Sequence, residues 1–143
     1  MMIFESVSRG GLSRGGGEKV ADRAPACDPV VVSRHRYDAS RFVLASVDRV
    51  DEAWRASDQE RGFYVGVGGE GSNQPGKYDA ARREVAAGHW TPPSVSFVGD
   101  DRTKVAFSDG RHRFAAARDL GRRSVLLEVE PEQAAAFREK FGV

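Results

Sequence analysis

Apolar residues recur along this chain at two spacings, and each spacing predicts one type of element. Short apolar runs bounded by Gly, Pro, Asp or Ser are typical of strands, and apolar residues three or four positions apart are typical of one helix face. The elements that we predict are strands over 30–32 and 42–44, a helix over 48–56, a strand over 63–67, a helix over 79–87, strands over 95–98 and 103–107, a short helix over 114–120, a strand over 125–129 and a last helix from Pro131. This order predicts a small α+β domain.

The segment Ser-Asp-Gly-Arg-His-Arg at 108–113 holds the richest candidate chemistry of the chain. It lies between the predicted strand 103–107 and the predicted helix 114–120, and the first amides of a helix have no internal acceptor. These amides, the positive end of the helix and two guanidinium groups together predict an anion site, most often for phosphate. We assign the phosphate or nucleotide site to Ser108, Gly110, Arg111, His112 and Arg113.

Two residues of this segment are candidate catalytic groups, and each has a structural alternative. Asp109 could hold Mg²⁺ or accept a hydroxyl proton beside a transferring phosphoryl group, or it could only cap the helix. His112 could donate to a phosphate oxygen or act as an acid or base near neutral pH. Alternatively, His112 packs behind the turn and bonds a backbone carbonyl, while the arginines are merely solvated.

A second glycine-rich segment, residues 66–71, formally matches the pattern G-x-G-x-x-G. A dinucleotide site needs such a loop to open directly into a helix, and residues 72–76 intervene here. A plain surface loop is therefore favoured over a mobile loop that folds over a ligand and brings Glu70 and Lys77 into the site. His35, His89 and His112 lack the spacing of metal ligands, so no metal site is predicted.

Length and composition are those of a soluble single-domain protein. The chain has 143 residues with a net charge of +1, which supplies no overall field for nucleic acid or an anionic membrane. Residues 1–28 are rich in Gly, Ser and Arg and predict a flexible arm before a single domain over 29–143. Cys27 is the single cysteine, which excludes an internal disulfide. With no apolar run of transmembrane length, we expect a cytoplasmic protein without a membrane partner.

The pattern VAFSDGRHRFAAARDLGRRSVLLEV at 105–129 resembles the ParB/sulfiredoxin-like superfamily, and the resemblance extends over residues 78–129. It implies a mixed sheet in which a glycine turn and the following helix bind nucleotide phosphates. Chromosome-partition members carry a Gly-Glu-Arg-Arg turn, and sulfiredoxins carry a reactive cysteine where this chain has Arg111.

The turn is more similar to the Asp-Gly-His-His-Arg of the free-serine kinases in that superfamily. This resemblance implies nucleotide and phosphoryl contacts for Asp109, His112 and Arg113. The kinases also use a catalytic glutamate from a more N-terminal segment, for which Glu52 and Glu70 are the candidates.

Three functions are therefore expected, in descending order. The first is a nucleotide-dependent phosphotransferase or NTPase that uses ATP, ADP or CTP with Mg²⁺. The second is a DNA- or RNA-binding protein or nuclease, which is suggested by the local basic cluster of Arg102, Lys104, Arg111, Arg113, Arg118, Arg122 and Arg123. The third is a non-catalytic interaction module that keeps the fold without the chemistry.

Overall fold

A four-stranded mixed sheet and four α-helices make up residues 38–143, the part of the chain that the computed structural model describes. The α+β class is therefore confirmed, whereas the predicted arm 1–28 and strand 30–32 lie outside the described residues. In chain order the elements are β1 (Phe42–Ser46), α1 (Val47–Asp58), a 3₁₀ turn (Val67–Gly69), α2 (Pro75–Ala86), β2 (Ser94–Val98), β3 (Lys104–Asp109), α3 (Arg111–Asp119), β4 (Ser124–Glu128) and α4 (Pro131–Phe141).

The sheet consists of two antiparallel pairs joined along a short parallel seam. The strand order is β1-β4-β2-β3, with β1 antiparallel to β4 and β2 antiparallel to β3. Between β2 and β4 the parallel register pairs Ser94 with Glu128. The Trp90 indole donates to the Leu126 carbonyl at 2.9 Å, and the Glu128 amide donates to the Pro93 carbonyl at 2.9 Å. The seam is thus reinforced by the segment that enters β2.

Two aromatic clusters join helices α1, α3 and α4 to the sheet. Trp54 of α1 meets Phe107 and Phe114 edge-on, at centroid distances of 5.0 and 5.8 Å, and Phe137 of α4 lies 5.6 Å from Phe97. Such contacts each contribute about 0.5–1.5 kcal/mol beyond burial. The rings of Phe107 and Phe114 lie 4.9 Å apart and flank the segment 108–113, so the core holds both ends of that segment.

Four element predictions differ from the structure. Helix α3 begins at Arg111 rather than at residue 114, so residues 111–113 form its first turn. Helix α2 begins at Pro75 rather than at residue 79, because proline is tolerated at the first helical position. Strand β3 continues to Asp109, which places Ser108 inside the strand. The predicted strand over 63–67 is wrong, since these residues form no strand. The Val65 carbonyl accepts a hydrogen bond at 2.8 Å from the Arg118 side chain instead of from a neighbouring strand.

Replacement of Leu127 tests the core of the sheet. Leu127 is fully buried in β4, so Leu127→Ala is expected to lower the free energy of unfolding by about 2–5 kcal/mol. Val143 is 68% exposed, and Val143→Ala is expected to change it by no more than about 0.5 kcal/mol. Urea denaturation followed by circular dichroism measures both, and equal effects of the two changes would contradict this core.

Candidate functional site

A cleft of about 440 Å³ opens between α2 and the turn that joins β3 to α3. One wall is formed by the α2 side, with Gln74, Lys77, Ala80, Ala81 and Glu84. The other wall is formed by the end of β3 and the start of α3, with Phe107, Ser108, Asp109, Gly110, Arg111, His112 and Arg113. The structure therefore places every residue of the predicted site in one cleft.

Gly110 makes the direct passage from strand to helix possible. Its φ of 82° lies in the left-handed region, and a Cβ here would lie 2.8 Å from the Pro93 Cβ and 2.7 Å from the Arg113 Nη2. Gly110 is also the N-cap of α3, and no side chain caps the helix. The alternative in which Asp109 is the helix cap is therefore wrong. The first amides of α3 are left without a side-chain acceptor beside the cleft.

Arg113 braces this turn from inside the first helical turn. Its Nε donates to the Thr91 carbonyl at 2.9 Å, and its Nη2 donates to the Asp109 carboxylate at 3.2 Å. The Arg113 side chain is 23% exposed, whereas that of Asp109 is 70% exposed. Two donor groups of Arg113 are thus hydrogen-bonded to protein acceptors, and the Asp109 carboxylate remains accessible at the rim of the cleft.

Arg111 is held less completely than Arg113. Its Nη2 lies 3.4 Å from the Gln74 Oε1, which is a long hydrogen bond, and its guanidinium lies 5.8 Å from the centre of the Phe63 ring. Its Nε is buried without an acceptor among residues 38–143. Arg111 therefore contributes charge to the cleft with few protein partners to neutralise it.

His112 is buried and contacts the loop that precedes α2. Its Nε2 lies 2.8 Å from the Ser72 Oγ, and the same Oγ accepts a hydrogen bond from the Gln74 amide at 3.0 Å. Burial lowers the pKa of His112, and the positive charges of Arg111 and Lys77 lower this pKa further. The neutral imidazole is thus favoured at pH 7, and its Nε2 shares a hydrogen bond with the Ser72 hydroxyl. The partner of Nε2 is a side chain rather than the backbone carbonyl of the structural alternative.

The glycine-rich loop 66–71 is bound to α3. The Gly68 amide and the Tyr78 hydroxyl donate to the same Asp119 oxygen, at 2.9 and 2.5 Å. Burial by itself raises the pKa of Asp119, but hydrogen bonds from Arg118, Tyr78 and Gly68 outweigh it and lower this pKa. The contact between Ser72 and His112 adds a second attachment just beyond the loop. These contacts favour a fixed surface loop over a lid.

Sequence reasoning missed Glu84 as a residue of the cleft. Because the predicted helix began at residue 79, Lys77 was not placed on it. With α2 starting at Pro75, Lys77, Ala81 and Glu84 follow the spacing of one helix face. Neither Glu52 nor Glu70 is among the residues that line the cleft.

Arg118, one of the basic residues clustered in the sequence, is largely buried rather than exposed with a surface patch. Arg118 has a side chain that is only 10% exposed and makes ion pairs with Asp51 at 3.0 Å and with Asp119 at 2.9 Å. Burial and the hydrogen bond to Asp51 raise the pKa of the neighbouring Tyr64 to about 12. Arg118 therefore belongs to an internal network and is unavailable to a surface ligand.

Residues 38–143 hold neither a cluster of metal-ligating side chains nor a membrane-spanning helix. Among residues 38–143, no group of three or more His, Cys, Asp and Glu side chains could hold a metal ion. Over the same residues, no helix has both the length and the apolar character that crossing a membrane requires.

Comparison with known proteins finds a similar fold but assigns the chain to no family. No protein-family model matches the chain, and no curated protein matches it significantly. Among solved structures, the chain is similar to oncogenic suppression activity protein, a plasmid fertility inhibition factor whose crystal structure is a gold(I) cyanide derivative. The TM-score is 0.54 and the identity 19%, over 79% of this chain and 62% of that protein's chain.

This likeness shows a shared fold alone, because the identity is below the level at which function carries over. The chain spans less than two thirds of the similar protein's length. The resemblance to the ParB/sulfiredoxin-like superfamily stays a prediction.

The close approach at Gly110 is tested by a matched pair of glycine replacements. Gly110 and Gly121 have φ values of 82° and 84°, but an added Cβ meets Pro93 and Arg113 only at position 110. Gly121→Ala is expected to cost about 1 kcal/mol of unfolding free energy for the left-handed backbone, and Gly110→Ala about 1–3 kcal/mol more for the overlap. Urea denaturation measures both, and equal losses would show that the turn is not tightly packed.

The state of His112 is tested by its titration. Because the folded-state pKa of His112 is lowered, the unfolded chain takes up this proton first as the pH falls. Above the unfolded-state pKa, His112 is neutral in both states and does not lower the free energy of unfolding. As the pH falls from the unfolded-state pKa through the folded-state pKa, the unfolded chain binds this proton and the free energy of unfolding decreases. Nuclear magnetic resonance should show the His112 imidazole titrating below 6.5. From pH 7.5 to 5.5, wild type should lose more unfolding free energy than His112→Gln, and an equal loss would contradict the buried, neutral imidazole.

Proposed function

We propose that this protein binds the phosphates of a nucleoside triphosphate, with Mg²⁺, in the cleft between α2 and α3. The proposed activity is that of a nucleotide-dependent phosphotransferase or NTPase, with ATP or CTP as substrate and ADP as a product-like ligand. The cytoplasm, where such nucleotides are abundant, is the compartment that this proposal implies.

The observation that carries the proposal is the convergence of positive groups on one cleft, which Lys77 lines from α2 and Arg111 from α3. His112 lines the same cleft, and its pKa is lowered first by burial and then by the charges of Arg111 and Lys77. The N-termini of α2 and α3 open on the same cleft, with Gln74 and Gly110 as their N-caps. Helix N-termini and cations together stabilise bound phosphate, and a triphosphate would relieve the repulsion among these groups.

The residues of the cleft also fit the metal that a triphosphate brings. Mg²⁺ is usually held by one or two carboxylates together with substrate phosphates, and Asp109 and Glu84 both line the cleft. Bound Mg²⁺ would neutralise charge that develops on the phosphate oxygens. If Glu84 and the phosphates held the metal instead, the Asp109 carboxylate would serve as the proton acceptor for an attacking hydroxyl, with Arg113 holding it at the rim.

His112 has the second catalytic role in this proposal. A neutral imidazole can accept a proton, and its contact with the Ser72 hydroxyl orients the ring toward the loop. Bound phosphate would stabilise the protonated ring and raise the pKa of His112. The site would then couple phosphate binding to the protonation of one side chain.

The two other expectations are supported less well. The expectation of nucleic-acid binding was based on a local cluster of basic residues. Two of them, Arg113 and Arg118, form ion pairs with Asp109 and Asp51 within the protein, so they are less available to a nucleic acid. A non-catalytic interaction module would keep the cleft as a binding site without turnover. Neither the fold nor its likeness to a plasmid fertility inhibition factor distinguishes these alternatives.

The proposal is tested by calorimetric titration of ATP, ADP, CTP and GTP with Mg²⁺. Arg111→Ala and Lys77→Ala are each expected to weaken binding by about 1.5–3 kcal/mol, the contribution of a charge-assisted hydrogen bond. Arg113→Ala is expected to weaken binding by a similar amount through loss of the brace at Asp109 and Gly110. Formation of ADP from ATP or CDP from CTP then reports turnover by either transfer or hydrolysis, and release of inorganic phosphate identifies hydrolysis.

Matched controls lie outside the cleft. Lys140→Ala on α4 and Arg83→Ala on α2 remove equivalent charges at exposed positions that do not line it. Both should leave binding unchanged. Equal losses in controls and cleft variants would indicate a diffuse charge effect, and the absence of binding by any nucleotide to folded wild type would refute the proposal.

A further inference from the structure

An exposed aromatic ring stands beside the proposed phosphate cleft. Phe63 is 46% exposed, although most aromatic residues of the described chain belong to the core. Its position is fixed by the turn after α1, where the Phe63 amide donates to the Asp58 carbonyl at 3.1 Å. The exposure of the ring is therefore built into an ordered turn.

The Phe63 ring is linked to the cleft by Arg111. The guanidinium of Arg111 lies 5.8 Å from the ring centre, and Arg111 also lines the cleft. A second guanidinium, that of Arg61, lies 5.7 Å from the same centre. Arg61 pairs with the buried Asp58 at 3.3 Å and has a side chain that is 54% exposed, so its guanidinium lies at the solvent side of the ring.

We propose that Phe63, together with Arg111, forms the stacking subsite for the base of the nucleotide whose phosphates occupy the cleft. This inference rests on the proposed function, since it assigns the second half of the same ligand. Arginine and aromatic side chains both offer flat surfaces to a nucleobase. Arg111 would serve both halves, with its charge toward the phosphates and its plane toward the base.

The chemistry of the subsite predicts weak discrimination among bases. Every nucleobase has a π face, so stacking tolerates changes of base. The base should therefore add affinity for ATP, CTP and GTP alike. A protein partner on Phe63 is the competing occupant, but it would gain nothing from the adjoining phosphate cleft.

The experiment compares ligands with and without a base on wild type and Phe63→Ala. Calorimetry with Mg²⁺ would use ATP, CTP and inorganic tripolyphosphate as probes. Phe63→Ala is expected to lower the affinity for ATP and CTP by about tenfold or more and to leave that for tripolyphosphate unchanged. Phe63→Trp, which keeps a stacking surface, should retain nucleotide affinity. Val67→Ala, at a 76% exposed apolar position nearby, should have no effect.

Each other outcome overturns a definite claim. Unchanged nucleotide affinity in Phe63→Ala would refute the stacking subsite while leaving the phosphate site intact. Equal losses for ATP and tripolyphosphate would show that Phe63 only positions Arg111, and this also refutes the subsite. If folded wild type binds neither probe, the proposed function itself is wrong, and the subsite falls with it. Thermal denaturation of each variant confirms that the fold is retained.

Discussion

The structure around the cleft depends on the absence of a side chain at position 110. Strand β3 passes into α3 through one left-handed residue, and the backbone there rests against Pro93, with no space for a Cβ. A longer connection would separate Phe107 from Phe114 and release the aromatic cluster beneath the turn. The same constraint that packs the core therefore sets the first amides of α3 at the wall of the cleft.

Charge is distributed around α3 according to what each end of the helix must do. At its C-terminal end, Arg118 and Asp119 are neutralised within a network that also holds the glycine-rich loop. At its N-terminal end, Arg111 lines the cleft opposite Lys77 of α2. One end of α3 is thus held in a network of ion pairs, and the other presents a cation to the cleft.

Local patterns were sufficient for much of the fold. Phe137 and Phe141 are buried as their spacing indicates, Gly121 adopts the left-handed conformation that follows a helix, and segment 108–113 forms one wall of a cleft. The segment around Val65 could not be predicted, because its carbonyl is satisfied by an arginine 53 residues away.

Contacts between residues far apart in the sequence also form part of the site, and local sequence patterns do not predict them. The contact between Ser72 and His112 joins residues 40 positions apart, and no local pattern signals it. Glu84 could have been found, since correct placement of the α2 start puts it on the face of Lys77. The predicted start at residue 79 overlooked that proline is favourable at the first helical position, which Pro75 occupies.

The short parallel seam between β2 and β4 joins two antiparallel strand pairs, β1–β4 and β2–β3. The β2–β3 pair carries the Gly110 turn, while the β1–β4 pair is linked to it through Ser94, Glu128 and the indole of Trp90. Sliding of one strand pair past the other would be resisted by these few bonds and by the helices that pack on both pairs. The cleft spans the end of β3, the start of α3 and the side of α2. Because α1 follows β1 directly and its Trp54 packs on Phe107 and Phe114, a displacement at β1 can reach the cleft wall through α1 without crossing the seam.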